Sequence, residues 1–465
     1  MSDGGAVEPP LVSFSPPDKP LSLLQTIKVA RENGMATVPR GAYEDLIYEM
    51  KSIARNALIV SDPVGVKRIL LDNVANYPKT PSDAPFLSAA FGDGLLTLDG
   101  ETWRAHRKLM SPAFDHRSIV SYAPGMVAAT AEFLAAWDGH GAEDGGADAE
   151  IDIAEAMTAL TLKIISRAMF SADSEELGAL FGSTFQRGLG AMNFGLLDLL
   201  PVIGPMRIRG KIAKIREIFS QLDGAMHRLI QERAKAGGEG ANDLLGRLVA
   251  VRDADTGLAL TDKEVRDEMV IIFFAGHETT AVTMAFAFYL LAQRQAAEAK
   301  LHAELDRVLG GRMPVYEDLE NLPYTRMVIE ETMRLYPAAP GLSGRQAAAD
   351  DVICGHPVAK GTEIFVAPWI IHHHSKLWDA PDQFDPERFS PERAKGRPRF
   401  TYLPFGGGPR VCIGASLAMT EACLILATVA QRYRLCLVPG QDLALRSRIT
   451  LRPRGGIRMT LSRRT

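Results

Sequence analysis

The chain has 465 residues, of which 46% are hydrophobic, and it carries a formal net charge of −4. A net charge this mild does not indicate a nucleic-acid partner, and four cysteines without a C-x-x-C pair favour a reducing compartment over a disulfide framework. The first twenty residues contain acidic residues and prolines and do not resemble a signal peptide or membrane anchor, so we expect a soluble, cytoplasmic protein without a membrane span.

The pattern along the chain predicts a mainly α-helical protein with a minor β region. We expect residues 1–465 to form a single domain, with 1–40 as an N-terminal extension that is partly disordered. No repeat of fixed period is present. Segments rich in Gly, Ala and acids at Asp138–Glu150 and Gly237–Asp243 are interpreted as loops rather than domain linkers. The predicted strands are Leu58–Ser61, Ile364–Val366, Leu435–Val438, Ile449–Arg452 and Arg458–Leu461.

Two segments in the first half of the chain can each be interpreted in a structural or a functional way. Trp103 is followed four residues later by Arg107, but an isolated arginine normally faces solvent. The segment from Met192 to Met206 is almost wholly apolar, with Asp198 as its one charge. It is either an ordinary buried helix and turn or a mobile lid over a hydrophobic pocket.

A long helix is predicted after Thr261, which forms a capping box with Glu264. The apolar pattern continues to Ala292 without a proline, which is about thirty residues or roughly 45 Å. A helix that is apolar nearly all round either crosses the middle of a large protein or spans a membrane. His277 and Glu278 near its centre disfavour the membrane, since a central carboxylate costs roughly 3 kcal/mol.

The centre of this helix is interrupted by the sequence Ala-Gly-His-Glu-Thr-Thr, residues 275–280. Gly276 costs about 1 kcal/mol relative to alanine, which suggests close approach of a flat cofactor. We expect the Thr279 hydroxyl to bond the carbonyl of Ala275 and open a notch for dioxygen or water. The alternative is that Thr279 and Thr280 only pack.

A further helix is predicted from Pro323 to just before Pro337, and it carries Glu331 and Arg334 three residues apart. The same spacing occurs at Glu304 and Arg307, which we expect to form a surface ion pair worth under about 1 kcal/mol. The run His372–His374 is not predicted to bind metal, because no carboxylate or cysteine completes a site.

Near the C-terminus, Phe405, Gly408, Arg410, Cys412 and Gly414 fit the pattern F-x-x-G-x-R-x-C-x-G. A helix is predicted directly after it, over 415–431. Glycines let such a turn fold tightly around a thiolate, so that amide N–H groups can point at the sulfur. A lone cysteine is more often a small core residue, and a phosphate loop would need a Lys-Ser or Lys-Thr pair that is absent.

These motifs together resemble the cytochrome P450 superfamily of haem-thiolate monooxygenases, in its soluble bacterial type. The resemblance covers roughly Leu58 to Leu461 and includes the cysteine loop, the interruption at 275–280, and an E-x-x-R helix with its P-E-R-F partner at 386–389. It implies the cytochrome P450 fold, with haem b, iron protoporphyrin IX, buried between the long central helix and the cysteine loop. It implies that Cys412 is the axial ligand of the haem iron.

The resemblance also implies roles for other residues. Glu278 and Thr279 would deliver protons, and Glu331, Arg334 and Arg388 would form a buried network under the cysteine loop. Trp103, Arg107, Arg345 and Arg410 would bind the haem propionates. The remaining predicted cofactor-binding residues are His106, Phe405, Gly406, Gly414, Ala275 and Gly276. The predicted substrate pocket is lined by Phe86, Leu96, Phe194, Leu197, Ala275, Ala339, Leu342 and Ile449.

The implied reaction is insertion of one oxygen atom from O2 into a hydrophobic small molecule, with two electrons from a donor outside the chain. Because no reductase domain follows Leu461, we expect a ferredoxin or flavodoxin with its reductase, and a monomeric enzyme. Lys395, Arg397, Arg399 and Arg410 would steer an acidic donor. The substrate is a terpenoid, a fatty acyl chain or an aromatic compound, unless Arg448 meets a substrate carboxylate. A peroxide-driven peroxygenase and a non-catalytic haem sensor remain as alternatives.

Overall fold

The computed structural model of the protein describes residues 10–51, 56–81, 84–143, 149–171, 175–191, 203–235, 243–253 and 255–464. The prediction of a mainly helical chain with a minor sheet is confirmed, with 59% helix and 11% strand. The α-helices are α1 Leu23–Ala30, α2 Pro63–Lys67, α3 Ala84–Phe91, α4 Gly100–Met110, α5 His116–Glu143, α6 Ile153–Phe170, α7 Glu175–Ala191, α8 Ile203–Ser220, α9 Asp223–Lys235, α10 Leu244–Ala250, α11 Asp262–Gln293, α12 Gln295–Leu309, α13 Pro323–Leu335, α14 Pro368–His372, α15 Pro391–Ala394 and α16 Ala415–Ala430.

The strands are short. They are β1 Ile47–Lys51, β2 Asn56–Val60, β3 Ala149–Asp152, β4 Arg345–Gln346, β5 Asp351–Ile353, β6 His356–Val358, β7 Glu363–Phe365, β8 Tyr433–Leu437, β9 Ala444–Ser447, β10 Leu451–Arg454 and β11 Arg458–Arg463. A four-stranded sheet has the order β1-β2-β7-β4, in which only the β2–β7 pair is parallel. A three-stranded sheet has the order β3-β11-β8, and β5-β6 and β9-β10 are separate hairpins.

Short irregular helical turns connect these elements. A π-helical turn, Arg68–Asp72, continues α2. The 3-10 turns are Met35–Thr37, Arg40–Tyr43, Val74–Asn76, Ser111–Phe114, Tyr316–Asn321, Pro386–Phe389, Arg399–Thr401 and Gly408–Arg410.

The helix α11 runs through the middle of the protein. Its predicted cap is present, because the Thr261 backbone N–H donates to the Glu264 carboxylate at 2.7 Å and the Thr261 hydroxyl accepts from the Glu264 N–H at 3.3 Å. Its first half packs in one apolar cluster with α3 and α6 to α10, and its second half in another with α5, α13 and α16. The helix therefore contributes to both cores, and its centre lies between them.

Among the described residues, two helical segments are long and apolar enough to cross a membrane, namely His116–Asp138 and Asp262–Gln293. In the folded protein, 83% of the most apolar stretch of Asp262–Gln293 is buried, compared with 39% of the corresponding stretch of His116–Asp138. For α11, burial accounts for the composition, since a core helix of a large protein is apolar all round.

All five predicted strands overlap strands of the structure, namely β2, β7, β8, β10 and β11, although only the second half of Ile449–Arg452 lies in β10, which begins at Leu451. The predicted loop Asp138–Glu150 is wrong at both described ends, because α5 continues to Glu143 and β3 begins at Ala149, while residues 144–148 lie outside the described residues. The Asp138 carboxylate accepts from Arg463 of β11 at 2.5 Å, so a contact distant in sequence holds this part of the helix. Of the second predicted break, 237–242 lies outside the described residues, and Asp243 caps α10 by accepting from the Gly246 N–H at 2.8 Å.

The predicted surface ion pair of Glu304 and Arg307 is wrong. Glu304 is buried, and its carboxylate accepts from the backbone N–H groups of Tyr324 at 2.7 Å and Thr325 at 2.8 Å. These are first-turn N–H groups of α13, and Leu322 at the N-cap has no side-chain oxygen to accept from them. A glutamate from α12 therefore caps the helix that carries Glu331.

The histidine run lies at the end of α14 and binds backbone groups. His372 is fully buried between two segments, with Nδ1 3.2 Å from the Arg334 carbonyl and Nε2 accepting from the Leu403 N–H at 2.9 Å. His373 Nδ1 lies 2.8 Å from the Trp369 carbonyl. Burial lowers the pKa of His372 well below its ordinary value and lowers the pKa of His373 to about 3.

This burial predicts destabilisation by acid. Above an ordinary histidine pKa of about 6.5, both the folded and unfolded chains are neutral at these positions, and the stability is fully present. As the pH falls from there toward about 3, the unfolded chain binds protons that folded His373 excludes, so the free energy of unfolding falls. Each histidine contributes a slope of up to about 1.4 kcal/mol per pH unit.

Urea unfolding of the wild type and of His373→Gln between neutral pH and pH of about 4.5 measures the effect. We expect the free energy of unfolding of the variant to fall less steeply with decreasing pH, and the difference in slope should correspond to about one proton. Identical slopes would contradict the assignment.

Candidate functional site

The cysteine loop is shaped by glycines. The Cys412 N–H donates to the Phe405 carbonyl at 2.9 Å, which closes the loop ahead of α16. Gly406 and Gly408 have φ of +72° and +68°, a region that side chains rarely adopt. A Cβ on Gly408 would lie 1.8 Å from the Leu70 carbonyl oxygen, so only glycine allows the loop to sit against the turn after α2.

Cys412 has accessible surface in the folded chain. Burial nevertheless raises the pKa of its thiol, while the Gly414 N–H and the Arg107 charge act in the opposite direction and favour the thiolate. An accessible sulfur in a loop whose backbone N–H and neighbouring arginine favour the thiolate has the properties that an axial ligand requires.

The centre of α11 has accessible surface too, in a helix whose neighbouring residues are buried. Ala275 is exposed, and Gly276 and Thr279 are partly exposed. The Thr279 hydroxyl donates to the Ala275 carbonyl at 2.7 Å, as predicted. A Cβ on Gly276 would lie 2.8 Å from Ile165 Cδ1. The contact is with the flexible end of the Ile165 side chain, so α6 packs against this glycine, and the close approach of a flat cofactor stays a prediction.

Glu278 makes contacts that the sequence did not predict. Its carboxylate is buried and pairs through both oxygens with Arg452 of β10, and it accepts from the Thr450 hydroxyl at 2.8 Å. Three hydrogen-bond donors thus bind the Glu278 carboxyl group, and this arrangement suits a hydrogen-bond acceptor rather than a proton donor. The adjacent alcohol Thr279 is not among its partners in the described structure.

Three of the predicted propionate-binding residues contact one another or the cysteine loop. Arg107 donates to the Val411 carbonyl at 2.9 Å, next to Cys412. The Arg410 guanidinium lies over the Trp103 ring, 4.2 Å from its centroid, and pairs with Asp99. The fourth, Arg345, is buried, and its Nε has no hydrogen-bond partner in the part of the chain that the structure describes.

Lys79 joins this cluster, and no motif in the sequence indicated it. Its Nζ donates to the Leu96 carbonyl at 2.6 Å and the Leu98 carbonyl at 3.2 Å. Burial, together with the charges of Arg410 and Arg345, lowers the pKa of Lys79 to about 7, and the charge of Asp99 acts in the opposite direction. The cations outnumber this acid, so the cluster suits added carboxylates such as haem propionates.

The structure does not place His106 in this cluster. Its ring nitrogens lie 2.7 Å from a Glu268 oxygen and 3.3 Å from a Glu264 oxygen. These contacts, above all the hydrogen bond to Glu268, raise the pKa of His106. Both nitrogens are thus engaged, and His106 joins α4 to the start of α11 instead of binding a cofactor.

The predicted network of Glu331, Arg334 and Arg388 is assembled and buried. Arg334 donates to both Glu331 oxygens, from Nε at 2.7 Å and from Nη2 at 2.8 Å. Arg388 Nε donates to the same carboxylate at 3.2 Å. His372 extends the network toward the cysteine loop, because it contacts the Arg334 carbonyl and accepts from the Leu403 N–H.

The predicted pocket residues are only partly covered by the structure. Phe86, Leu96 and Ile449 pack, half-buried, against the apolar cluster that includes the first half of α11. A Cβ on Gly406 would lie 3.7 Å from Leu342 Cδ2, which places Leu342 at the cysteine loop. Ala339 is half-buried. Phe194 and Leu197 lie outside the described residues.

Two further predicted contacts differ in the structure. Arg448, the alternative partner for a substrate carboxylate, is exposed and donates to the Arg31 carbonyl at 2.9 Å. In the basic run, Arg397 stacks on Trp378 at 4.5 Å and on Phe389 at 4.8 Å, and Arg410 pairs with Asp99. The two remaining basic residues of the run, Lys395 and Arg399, are exposed.

Comparison with known proteins gives one consistent result. The family model described as Cytochrome P450 matches residues 16–458. The chain is 34% identical to cyclooctat-9-en-7-ol 5-monooxygenase from Streptomyces melanosporofaciens, over 88% of this chain and 86% of that protein. It is 30% identical to the chloroplastic carotene epsilon-monooxygenase of Arabidopsis thaliana, over 90% and 80%. The crystal structure of the cytochrome P450DA heme domain has a TM-score of 0.79 at 28% identity, covering 90% of each chain.

Proposed function

Since this chain belongs to the cytochrome P450 family and is a haem b-binding monooxygenase, we propose that it inserts oxygen from O2 into a large, mostly hydrocarbon terpenoid. The observation that carries the proposal is that Cys412 in its glycine-shaped loop and the centre of α11 at Ala275 and Thr279 both keep accessible surface. When bound, haem supplies activation of dioxygen, which a thiolate ligand promotes.

The chain itself would hold and shape this site. Cys412 is the proposed iron ligand, and the Gly414 N–H and Arg107 stabilise its anionic form. Trp103, Arg107, Arg345 and Arg410 would bind the propionates together with Lys79, whose cluster carries an excess of positive charge. The Thr279 hydroxyl would hold a water molecule, or donate a proton, in the notch beside Ala275.

The substrate class is supported by the lining and by two relatives. Phe86, Leu96 and Ile449 offer apolar surface, and Arg448 is directed elsewhere. The relatives' names denote a carotene and a cyclic alkenol, both mostly hydrocarbon. An apolar pocket favours such molecules because their transfer from water is the main source of affinity.

We propose a single haem domain that works as a monomer in the cytoplasm, without a membrane span, and receives electrons from a ferredoxin or flavodoxin with its reductase. The exposed Lys395 and Arg399 support an acidic carrier.

Turnover with a reconstituted ferredoxin, its reductase, NADPH and isotopically labelled dioxygen tests the proposal. The panel should contain a carotene, a cyclic terpene alcohol, a fatty acid and an aromatic compound. We expect labelled product from a terpenoid. Equal product from peroxide without the electron chain would indicate a peroxygenase, and no product from any compound would favour a haem sensor.

The replacement Thr279→Ala is expected to lower product formation by about tenfold to a hundredfold, because the notch loses its hydroxyl. Electron consumption should continue, with hydrogen peroxide as the main product. Measuring product and peroxide per NADPH separates this result from loss of binding, and unchanged coupling would contradict the role of Thr279.

The replacement Lys79→Met is expected to weaken haem binding by about tenfold, since one cation opposite the propionates is removed. With a pKa of about 7 before haem binds, Lys79 should take up a proton as the carboxylates arrive at mildly alkaline pH. Calorimetric haem titration in two buffers of different ionisation enthalpy detects this proton. Proton uptake that persists in the variant would exclude Lys79 as its source.

A further inference from the structure

Two adjacent carboxylates in the first half of α11 bind the chain segment that follows α3. The Asp267 carboxylate accepts from the Asp93 N–H at 2.9 Å. Both oxygens of Glu268 accept from the Leu95 N–H, at 3.0 and 3.1 Å. Asp267 and Glu268 are only 2% and 0% exposed, so water competes little for these bonds. This pair of carboxylates, the α11 clamp, therefore ties residues 92–95 to the helix at two points.

The segment lies directly against the clamp because it contains two glycines. A Cβ on Gly92, whose φ is +78°, would overlap the Asp267 carboxylate. A Cβ on Gly94 would lie 2.6 Å from Ile271 Cδ1 and 2.8 Å from the Glu268 carboxyl carbon. Because hydrogen bonds hold both carboxylates in place, a side chain at either position would displace the segment from α11.

Cations on the other side of the clamp compensate for the burial of its charges. Lys263 Nζ donates to Asp267 at 2.8 Å. The two ring nitrogens of His106, in α4, lie 2.7 Å from a Glu268 oxygen and 3.3 Å from a Glu264 oxygen. Only the imidazolium form can donate from both nitrogens. Charge-assisted hydrogen bonds of this kind fix the positions of the two carboxylates, which then hold the segment.

The clamp lies on the face of α11 that leads to the proposed oxygen site. Residues that are three or four positions apart share a face of a helix. One such stripe consists of Glu264, Glu268, Ile271, Ala275 and Thr279. Glu268 precedes Ala275 by two turns, or roughly 10 Å. The held segment connects Phe86 of α3 to Leu96, two predicted pocket residues that pack against the same apolar cluster.

We propose that the α11 clamp determines substrate selectivity without touching the substrate. By holding residues 92–95 against α11, it fixes the distance of Phe86 and Leu96 from Ala275. That distance sets the width of the pocket and the substrate carbon that lies beside the notch. The inference rests on the proposed monooxygenase function, for which Asp267 and Glu268 act as positioning residues.

Hydrogen–deuterium exchange of the haem-loaded protein tests the clamp without turnover. Glu268→Leu keeps a side chain of similar size and removes both acceptors of the Leu95 N–H. We expect the amides of residues 92–98 to exchange about tenfold faster in this variant than in the wild type. The matched control is Glu298→Leu, which removes a buried glutamate of α12 that pairs with Arg434, and it should leave this exchange unchanged. Unchanged exchange in Glu268→Leu would overturn the proposal.

A measurement of selectivity distinguishes positioning from a purely structural role. With a carotene and a cyclic terpene alcohol as substrates, we expect Glu268→Leu to change the ratio of the two kcat/KM values by about fivefold, mainly through KM. The ratio of product isomers from each substrate should change as well. Haem content should equal that of Glu298→Leu. Faster exchange with wild-type selectivity and isomer ratios would show that the clamp is only structural, and the proposal would fail.

Gly94→Ala perturbs the same contact without removing an acceptor, and it provides the test if Glu268→Leu does not fold. Its methyl group should displace the segment from Ile271 and change the isomer ratio in the same way. The control is Gly125→Ala, since a Cβ on Gly125 has no neighbour from another part of the described structure within 4 Å. Wild-type isomer ratios in Gly94→Ala would contradict the proposal.

Failure of the monooxygenase function appears separately, as absence of product from the wild type. The ratio of the dissociation constants of the two terpenoids, measured from the shift of the Soret band, then takes the place of the kcat/KM ratio. A ratio that is equal in the wild type and in both clamp variants, Glu268→Leu and Gly94→Ala, would overturn the role of the clamp.

Discussion

Replacing Cys412 by alanine should abolish the red-shifted Soret band that the dithionite-reduced, carbon monoxide-treated wild type is expected to show. The band requires a thiolate on the iron, and Cys412 is the accessible cysteine of the glycine-shaped loop ahead of α16. Monooxygenase activity should fall by about a thousandfold or more, about 4 kcal/mol of lost transition-state stabilisation.

The matched control is Cys423→Ala, because Cys423 is a buried free cysteine of α16 whose side chain packs in the core. That variant should retain the band and most of the activity. An unshifted band in the wild type, or a shifted band in Cys412→Ala, would contradict the assignment of the ligand.

Replacing Glu331 by alanine is expected to produce the largest loss of stability. Arg334 and Arg388 both donate to this carboxylate, and all three groups are buried. Removing the acid leaves two buried cations without their shared partner, which costs about 3 to 5 kcal/mol. Because His372 joins Arg334 to Leu403, whose carbonyl accepts from the Gly406 N–H of the cysteine loop, haem content should fall as well.

Denaturant unfolding and the ratio of haem to protein measure both effects. Glu387→Ala is the control, since its exposed pair with Lys300 lies next to Arg388 and is worth at most about 1 kcal/mol. A Glu331→Ala protein with normal haem content and wild-type stability would show that the network does not support the loop.

Features that depend on neighbouring residues were predictable from the sequence. The cap at Thr261, the end of α13 before Pro337 and the bond from Thr279 to Ala275 are all set within one or two helical turns. The cysteine loop was predictable for the same reason, because its glycines and the helix α16 follow one another directly in the sequence.

Features that depend on distant partners were not predictable. Spacing alone cannot separate Glu304, which caps another helix, from a surface ion pair. His106 meets two glutamates that lie 158 and 162 residues away in the sequence. The pKa of Lys79 is lowered by burial and by the charges of Arg410 and Arg345 in two other segments. Gly276 packs against Ile165 of α6, a contact that no pattern around residues 275–280 reveals.

The contact between Glu278 and the turn before β10 has a consequence for engineering this enzyme. Thr450 follows Ile449, a residue predicted to line the pocket, and its hydroxyl also donates to the Glu278 carboxylate next to Thr279. A library that varies residues 449–452 to change selectivity should therefore also change the amount of product formed per NADPH consumed. Variation at Phe86 or Leu96, whose side chains pack in the apolar cluster, should separate the two properties.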